Sequence, residues 1–251
     1  MRKDDSQLTG NGGAAAPYSA LVVGATGLVG SELVRQLARD PSCTSVTVLA
    51  RRPLNDPALK QAAADGRLRV IVADLDRLEE ALAGVAADVV YCALGTTIKT
   101  AGTQEAFRKV DYEYPVRLGA WAAAGGARMV VVSAMGATAD SRIFYSRVKG
   151  EMEQALVAEG LKELHLLRPS LLLGKRGEFR LGERIAVLLT PLIRWAFVGP
   201  MRKYRPITDR EVACAMRAAA AGTGKTAAAA SGDGTWVYEN DGIAAAASRI
   251  G

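Results

Sequence analysis

The sequence predicts an α/β fold, a doubly wound parallel sheet with helices on both faces, followed by a small C-terminal cap lobe. Three observations carry that expectation. Apolar runs of four to six residues alternate with segments of helical periodicity through the first two thirds of the chain, and alternating β and α units build a parallel sheet covered on both sides. The turn Gly24-Ala25-Thr26-Gly27-Leu28-Val29-Gly30 joins the first apolar run to the first helical segment. With 251 residues, 49% hydrophobic and 23% charged, the chain can bury a sizeable core, which excludes a disordered or fibrous protein.

Taken in order, Ala20–Val23 reads as the first strand, and Leu28, Val29, Leu33, Val34 and Leu37 fall at helical spacing after the glycine turn. Further strands are expected at Ser45–Ala50, Leu68–Ala73, Asp88–Ala93, Arg128–Ser133 and Glu163–Leu167, with a helix over Tyr145–Ala158 before the last of them. Beyond Arg168-Pro169 the alternation stops, and helix-like pieces at Ile185–Phe197 and Glu211–Ala221 stand among loops rich in Gly, Arg and Pro. The expected division is a flexible tail over residues 1–18, the α/β domain over 19–168, and a small substrate or cap lobe over 169–251 packed on that domain. Alanine tracts at 218–221, 227–230 and 244–247 share no flanking pattern and read as helix surface and loop, not as a repeat.

The longest near-apolar stretch, Ile185–Ile193, is interrupted by Pro191 and bounded by arginines, far short of the roughly 20 residues that cross a bilayer. No membrane association is expected. Neither a secretory signal nor an acid-poor transit peptide fits an N-terminus that carries Asp4 and Asp5. Cys43, Cys92 and Cys214 form no CxxC pair, and an odd count of thiols points to a reduced state and a cytoplasmic protein. Those three cysteines and one histidine exclude a structural zinc site.

The GxxGxxG spacing carries chemistry because of its context. After a strand and before a helix, its three glycines allow a tight turn, close approach of backbone to a pyrophosphate and close packing of helix on strand, while the helix N-terminus offers N–H donors. Gly24, Thr26, Gly27, Leu28, Val29 and Gly30 are therefore the first cofactor-binding candidates. At the end of the second strand an acidic residue would bind the ribose hydroxyl of NAD; this chain has Arg51-Arg52 and no Asp or Glu from Leu49 to Asn55. NADP(H) is favoured over NAD(H), against the plainer reading of two solubilising arginines. Asp74, with Leu75 beside it, stands where a carboxylate could reach the adenine amine, or where it could cap the following helix. Ala-Gly-Thr-Gly-Lys-Thr at 221–226 imitates a phosphate loop but has Ala219 where that motif needs glycine, and no strand precedes it.

Tyr145 and Lys149 stand at i and i+4 on one helix face, and Ser133 ends the fifth predicted strand. A carbonyl reductase needs an acid for the nascent alkoxide, a cation that lowers the pKa of that acid, and a donor orienting the carbonyl. Tyr145, Lys149 and Ser133 supply the three roles.

With those residues, and with Leu94-Gly95-Thr96-Thr97, Val110-Asp111, Val132-Ser133-Ala134-Met135-Gly136-Ala137, Tyr145-Ser146-Arg147-Val148-Lys149-Gly150-Glu151 and Leu167-Arg168-Pro169-Ser170, the chain resembles the short-chain dehydrogenases/reductases. More narrowly, it is similar to the atypical branch of the Tat-interacting oxidoreductase-like proteins. The resemblance spans nearly everything after residue 18 and implies a Rossmann-fold NADP(H) binder in which Ser133, Tyr145 and Lys149 are catalytic and Lys149 also holds the nicotinamide ribose. It further implies that Ala93, Leu94, Gly95 and Thr96 line the dinucleotide and that Arg168, Pro169 and Ser170 run beside the nicotinamide. Two positions depart from the pattern: Asp111 stands where many relatives carry a relay asparagine, and Ala134 follows Ser133 where a second hydroxyl is frequent.

The function expected from the residues and the resemblance is hydride transfer to or from a carbonyl or alcohol of a small molecule, dependent on NADP(H). A nucleotide-sugar epimerase-like enzyme uses the same Tyr and Lys, but its substrate needs a larger cap. A redox sensor or interaction protein without turnover is the alternative from another class, and it has no need of the trio. The formal charge of +6 suits phosphates, yet no basic stripe or aromatic series indicates nucleic acid. His165, alternating with leucines, reads as a packed histidine rather than a base; Arg202-Lys203-Tyr204-Arg205 could meet an anion or solvent, and Trp195 and Phe197 could wall a pocket or form a core. Substrate and oligomeric state are not written in these residues.

Overall fold

The computed structural model describes residues 16–173 and 204–250. One eight-stranded sheet runs β3-β2-β1-β4-β5-β6-β10-β9. Its strands are β1 (Tyr18–Val23), β2 (Cys43–Ala50), β3 (Leu68–Val72), β4 (Val89–Cys92), β5 (Arg128–Val132), β6 (Leu164–Leu167), β9 (Ala229–Ala230) and β10 (Thr235–Tyr238). All pairings are parallel except that of β9 with β10. The first six strands follow the 3-2-1-4-5-6 order of dinucleotide-binding sheets, in which the strand order reverses between β1 and β4 and a crevice opens at their carboxyl ends. The short strands β7 (Leu172–Leu173) and β8 (Ile207–Thr208) pair separately.

The helices pack on both faces because the central strands are apolar on both. Every residue of β4 is buried, as are Leu21, Val22 and Val23 of β1. One face receives α1 (Leu28–Leu37), which buries Val29, Leu33, Val34 and Leu37, with α2 (Pro57–Ala64) beyond it. The other receives α3 (Leu78–Ala81), α6 (Tyr114–Ala124) and α7 (Phe144–Ala158), with Leu118, Met152 and Leu156 in its core. The short helices α4 (Ile98–Ala101) and α5 (Gln104–Arg108) lead into α6 through a π-helical turn, Lys109–Glu113.

Three expectations change. Strand β1 begins at Tyr18, inside the stretch assigned to the tail, and that ring is only 9% exposed. Of residues 169–251, assigned to a cap lobe, those from 209 onward supply α8 (Asp209–Ala220), β9, β10 and α9 (Asn240–Ala247), and β10 extends the main sheet by pairing with β6. The alternation therefore resumes after Arg168-Pro169. The alanine tract at 218–221 is core up to Ala220: α8 packs on α1 and α9, and Ala218, Ala219 and Ala220 are buried because small side chains let helices approach closely. Its start is fixed by a capping box, Thr208 Oγ accepting from the Glu211 N–H and the Glu211 carboxylate from the Thr208 N–H, at 3.1 and 2.9 Å. The expected helix over Ile185–Phe197, with Trp195, Phe197, Arg202 and Lys203, lies outside the described residues.

His165 is a packed residue. It is fully buried in β6, stacks on Trp236 at 5.0 Å and places Nδ1 3.1 Å from the Tyr238 hydroxyl. Burial drives its pKa down to about 4, although the Glu163 carboxylate, 3.5 Å from Nε2, acts in the opposite sense. A histidine kept neutral in the fold contributes stability above its unfolded pKa near 6.5, and loses it as pH falls toward 4. In chemical denaturation, wild type is therefore expected to lose about 2 to 3 kcal/mol more than His165→Phe between neutral and acid pH. The phosphate-loop imitation is also engaged in packing: Lys225 pairs with Glu163 at 3.0 Å and lies over Trp236.

Candidate functional site

The site is built at the carboxyl ends of β1, β4 and β5. The turn after β1 requires glycine twice over: Gly24 has φ +96° and lies against the Ala93 carbonyl, and a Cβ on Gly30 would stand 2.2 Å from the Gly24 carbonyl oxygen. That contact presses α1 onto the turn. Gly27 caps the helix without any side-chain hydrogen bond, so first-turn N–H groups are left to face the crevice. On the opposite wall, Gly150 lets α7 abut the loop after β5, where a Cβ would meet Thr138 backbone at 2.1 Å. This close approach sets Tyr145 and Lys149 across from Ser133.

A cavity of about 420 Å³ gathers these parts. Gly27, Leu28 and Val29 come from the glycine turn, Ala93, Leu94, Gly95 and Thr96 from the end of β4, and Ser133, Tyr145, Lys149 and Ser170 from the far side. Sequence reasoning did not name Thr97, Ile98, Val132, Leu171 and Leu172 as parts of its wall. The remaining candidates are placed differently. Thr26 is exposed on the same turn, and Arg51 and Arg52 are exposed just beyond β2, the strand neighbouring β1. Asp74 caps the turn at Leu75–Arg77 by accepting from the Asp76 N–H, and Leu75 is buried in the core. Arg168 is taken up elsewhere: its guanidinium grips Glu153 at 2.5 and 3.0 Å and Glu239 at 3.0 Å, and it lines a separate pocket with Glu153 and Val237. Pro169 contributes its carbonyl to the Met135 N–H, and Ser170 is latched to Asn240 and to the Arg205 carbonyl.

Asp111 is the residue whose role the sequence left open. The π-helical turn, a feature frequent at functional sites, carries it inward to 1% exposure. Its carboxylate stands 2.8 Å from Lys149 Nζ and accepts from the Thr96 N–H at 2.8 Å. Burial would depress the Lys149 pKa, but Asp111, with Tyr145 and Cys92, outweighs it and holds the ammonium charged. Tyr145 packs its ring against Phe107 at 5.8 Å. Its pKa is raised from the ordinary 10.0, because desolvation and Asp111 together outweigh the lowering effect of Lys149. Lys149 acts in the expected, lowering sense without overcoming the other two.

The pocket fits a nicotinamide dinucleotide. Ser133 Oγ is buried and has no hydrogen-bond partner among the described residues, and the first turn of α1 offers N–H groups suited to phosphate oxygens. The described residues contain no cluster of metal-ligating side chains and no helix long and apolar enough to cross a membrane.

Comparisons with known proteins agree with this geometry. A family model described as NAD(P)H-binding matches residues 24–183. "Protein FMP52, mitochondrial" of Candida albicans is 36% identical over 173 residues, covering 67% of this chain and 73% of that protein. Protein HTATIP2 of Rattus norvegicus is 33% identical over 170 residues, covering 67% and 68%. Among solved structures, the Bordetella bronchiseptica enzyme WbmG in complex with NAD has the same fold, with a TM-score of 0.61 over 92% of this chain and 74% of its own at 14% identity. The cytoplasmic location expected from thiols and N-terminus does not stand, since the FMP52 relatives are mitochondrial by name. Reduced, buried thiols do not distinguish the two compartments. With the glycine turn, the Ser-Tyr-Lys cleft and these relatives in agreement, the chain belongs to the NAD(P)H-binding family, in the atypical branch of the short-chain dehydrogenases/reductases.

Proposed function

We propose that the protein is an oxidoreductase that uses NADP(H) to interconvert a carbonyl and an alcohol on a small molecule. The observation carrying this reading is the single cavity shared by the glycine turn and by Ser133, Tyr145 and Lys149. When bound, the nicotinamide supplies or accepts the hydride, which no side chain can do. The rest is work for the chain. Ser133 Oγ, buried and unpartnered among the described residues, donates to the substrate oxygen and orients it. Tyr145 gives that oxygen its proton, or removes it in the opposite direction, and Lys149 provides a fixed positive charge beside the reacting groups. The N–H groups at the start of α1 bind the pyrophosphate, and Ala93–Thr96 line the dinucleotide.

Arg51 and Arg52 select the cofactor by meeting the 2′-phosphate of NADP(H), for which exposed guanidinium groups beyond β2 are suited. Replacing both by alanine is expected to weaken NADPH binding by about ten- to a hundredfold, the equivalent of one or two charge-assisted hydrogen bonds, with NADH affinity unchanged. Calorimetric titration of both proteins with both nucleotides checks this. Equal loss of NADPH and NADH affinity would assign the pair to folding instead.

A further inference from the structure

We propose that the substrate of this cleft is an uncharged aldehyde or ketone with an alkyl or aryl body, seated against Ile98, Leu171 and Leu172. The inference rests on the oxidoreductase reading above and deepens it by naming the class of substrate.

The side chains that the cleft shows to solvent carry it. Three of the seven exposed large apolar residues among the described ones, Ile98, Tyr145 and Leu171, line this single cavity, at 41%, 39% and 57% exposure. They arrive from separate segments. Ile98 opens α4 after β4, Tyr145 stands in the first turn of α7 after β5, and Leu171 directly precedes β7 after β6. Leu172 and Val132 belong to the same wall, and Ile143, also exposed, lies two residues ahead of Tyr145. Apolar residues scattered singly over a surface are ordinary; apolar side chains that converge from three loops on one concave site mark a place for an apolar ligand.

The polar groups of the cavity point the same way. Among its described residues the only charges are Lys149 and Asp111, which stand 2.8 Å apart and neutralise each other. Thr97 Oγ caps α4 by accepting from the Thr100 N–H at 3.1 Å, and Ser170 Oγ donates to the Arg205 carbonyl at 2.6 Å. Ser133 Oγ, by contrast, is buried without a partner among the described residues, and together with the Tyr145 hydroxyl it serves one oxygen, that of the carbonyl. A carboxylate or phosphate on the substrate would lose its hydration here and meet a cation that is already paired. An alkyl or aryl body forfeits no hydrogen bond and gains by leaving water. In the reaction the carbonyl carbon takes the hydride from NADPH as the C=O π bond breaks. The oxygen takes the phenolic proton of Tyr145, the tyrosinate is reprotonated from solvent, and the products are an alcohol and NADP+.

The test uses primary carboxamides, whose carbonyl accepts the hydrogen bonds of an aldehyde but takes no hydride. Butanamide, hexanamide and octanamide are titrated by calorimetry into the NADPH-loaded full chain, beside adipic acid monoamide, in which a carboxylate replaces the terminal methyl of hexanamide. The Kd is expected to fall about two- to fourfold per added methylene, as partial or complete burial of each gives. Adipic acid monoamide is expected to bind at least about tenfold more weakly than hexanamide. In Leu171→Lys, a substitution at an exposed position, that preference for hexanamide is expected to shrink at least about tenfold, because the new ammonium offers the carboxylate a partner. No binding of the amides, a Kd that does not change along the series, or adipic acid monoamide bound as tightly as hexanamide overturns the proposal on wild type alone. An unchanged preference in a folded Leu171→Lys overturns it as well, since the apolar body would then lie elsewhere. Absence of an NADPH isotherm before any amide is added overturns the oxidoreductase reading and this one with it, whereas a flat series on the nucleotide-loaded chain overturns this one alone.

Discussion

Tyr145→Phe lowers kcat for carbonyl reduction by about 10²–10⁴-fold, the usual contribution of a positioned general acid, while the affinity for NADPH stays within about twofold of wild type. The separation follows from where the side chain sits. Its ring packs against Phe107 at 5.8 Å, and phenylalanine keeps that contact, so neither the fold nor the nucleotide wall is disturbed. Only the hydroxyl is lost. Steady-state assays on a panel of carbonyl compounds, with nucleotide binding measured on the same preparations, check the expectation. A variant as active as wild type would remove Tyr145 from the reaction. A protein whose response to NADPH survives the substitution in full, with no turnover in either form, would instead be the sensor considered from sequence.

Lys149→Met destabilises the fold by about 3–5 kcal/mol at neutral pH, because it strands the Asp111 carboxylate in a site 1% exposed with the Thr96 N–H as its remaining partner. Removing both charges together, as Lys149→Met/Asp111→Asn, is expected to recover most of the loss, since the asparagine can still accept from Thr96. Urea denaturation of the two variants and wild type gives the coupling directly. Equal stability of single and double variants would mean that the pair is not closed in solution.

Much of the site was legible in the chain because its signals are local. The glycine turn is seven consecutive residues between a strand and a helix, Tyr145 and Lys149 are one helical turn apart, and the apolar runs of β1 to β6 stand out because strands buried on both faces have almost no polar residues. What escaped depends on contacts between distant segments. Strand β10, Thr235-Trp236-Val237-Tyr238, is a four-residue run beyond a glycine- and alanine-rich stretch, and only its pairing with β6 makes it part of the sheet. Arg168 stands next to the cleft in sequence, yet its guanidinium is claimed by Glu153 and Glu239, 15 and 71 residues away. The inward turn of Asp111 depends on one π-helical turn between α5 and α6, which leaves no periodicity to read. The Thr208-Asp209-Arg210-Glu211 capping box, by contrast, is a local pattern that would have fixed the start of α8.

The central claim is that this cleft binds a nicotinamide dinucleotide and prefers the phosphorylated form. Calorimetric titration of the purified wild-type chain with NADPH and with NADH tests it most directly. One site per chain is predicted, with NADPH bound at least about tenfold more tightly than NADH, as one charge-assisted contact to the 2′-phosphate would give. Binding of neither nucleotide would contradict the account, and would leave the glycine turn as an element of packing between α1 and the sheet.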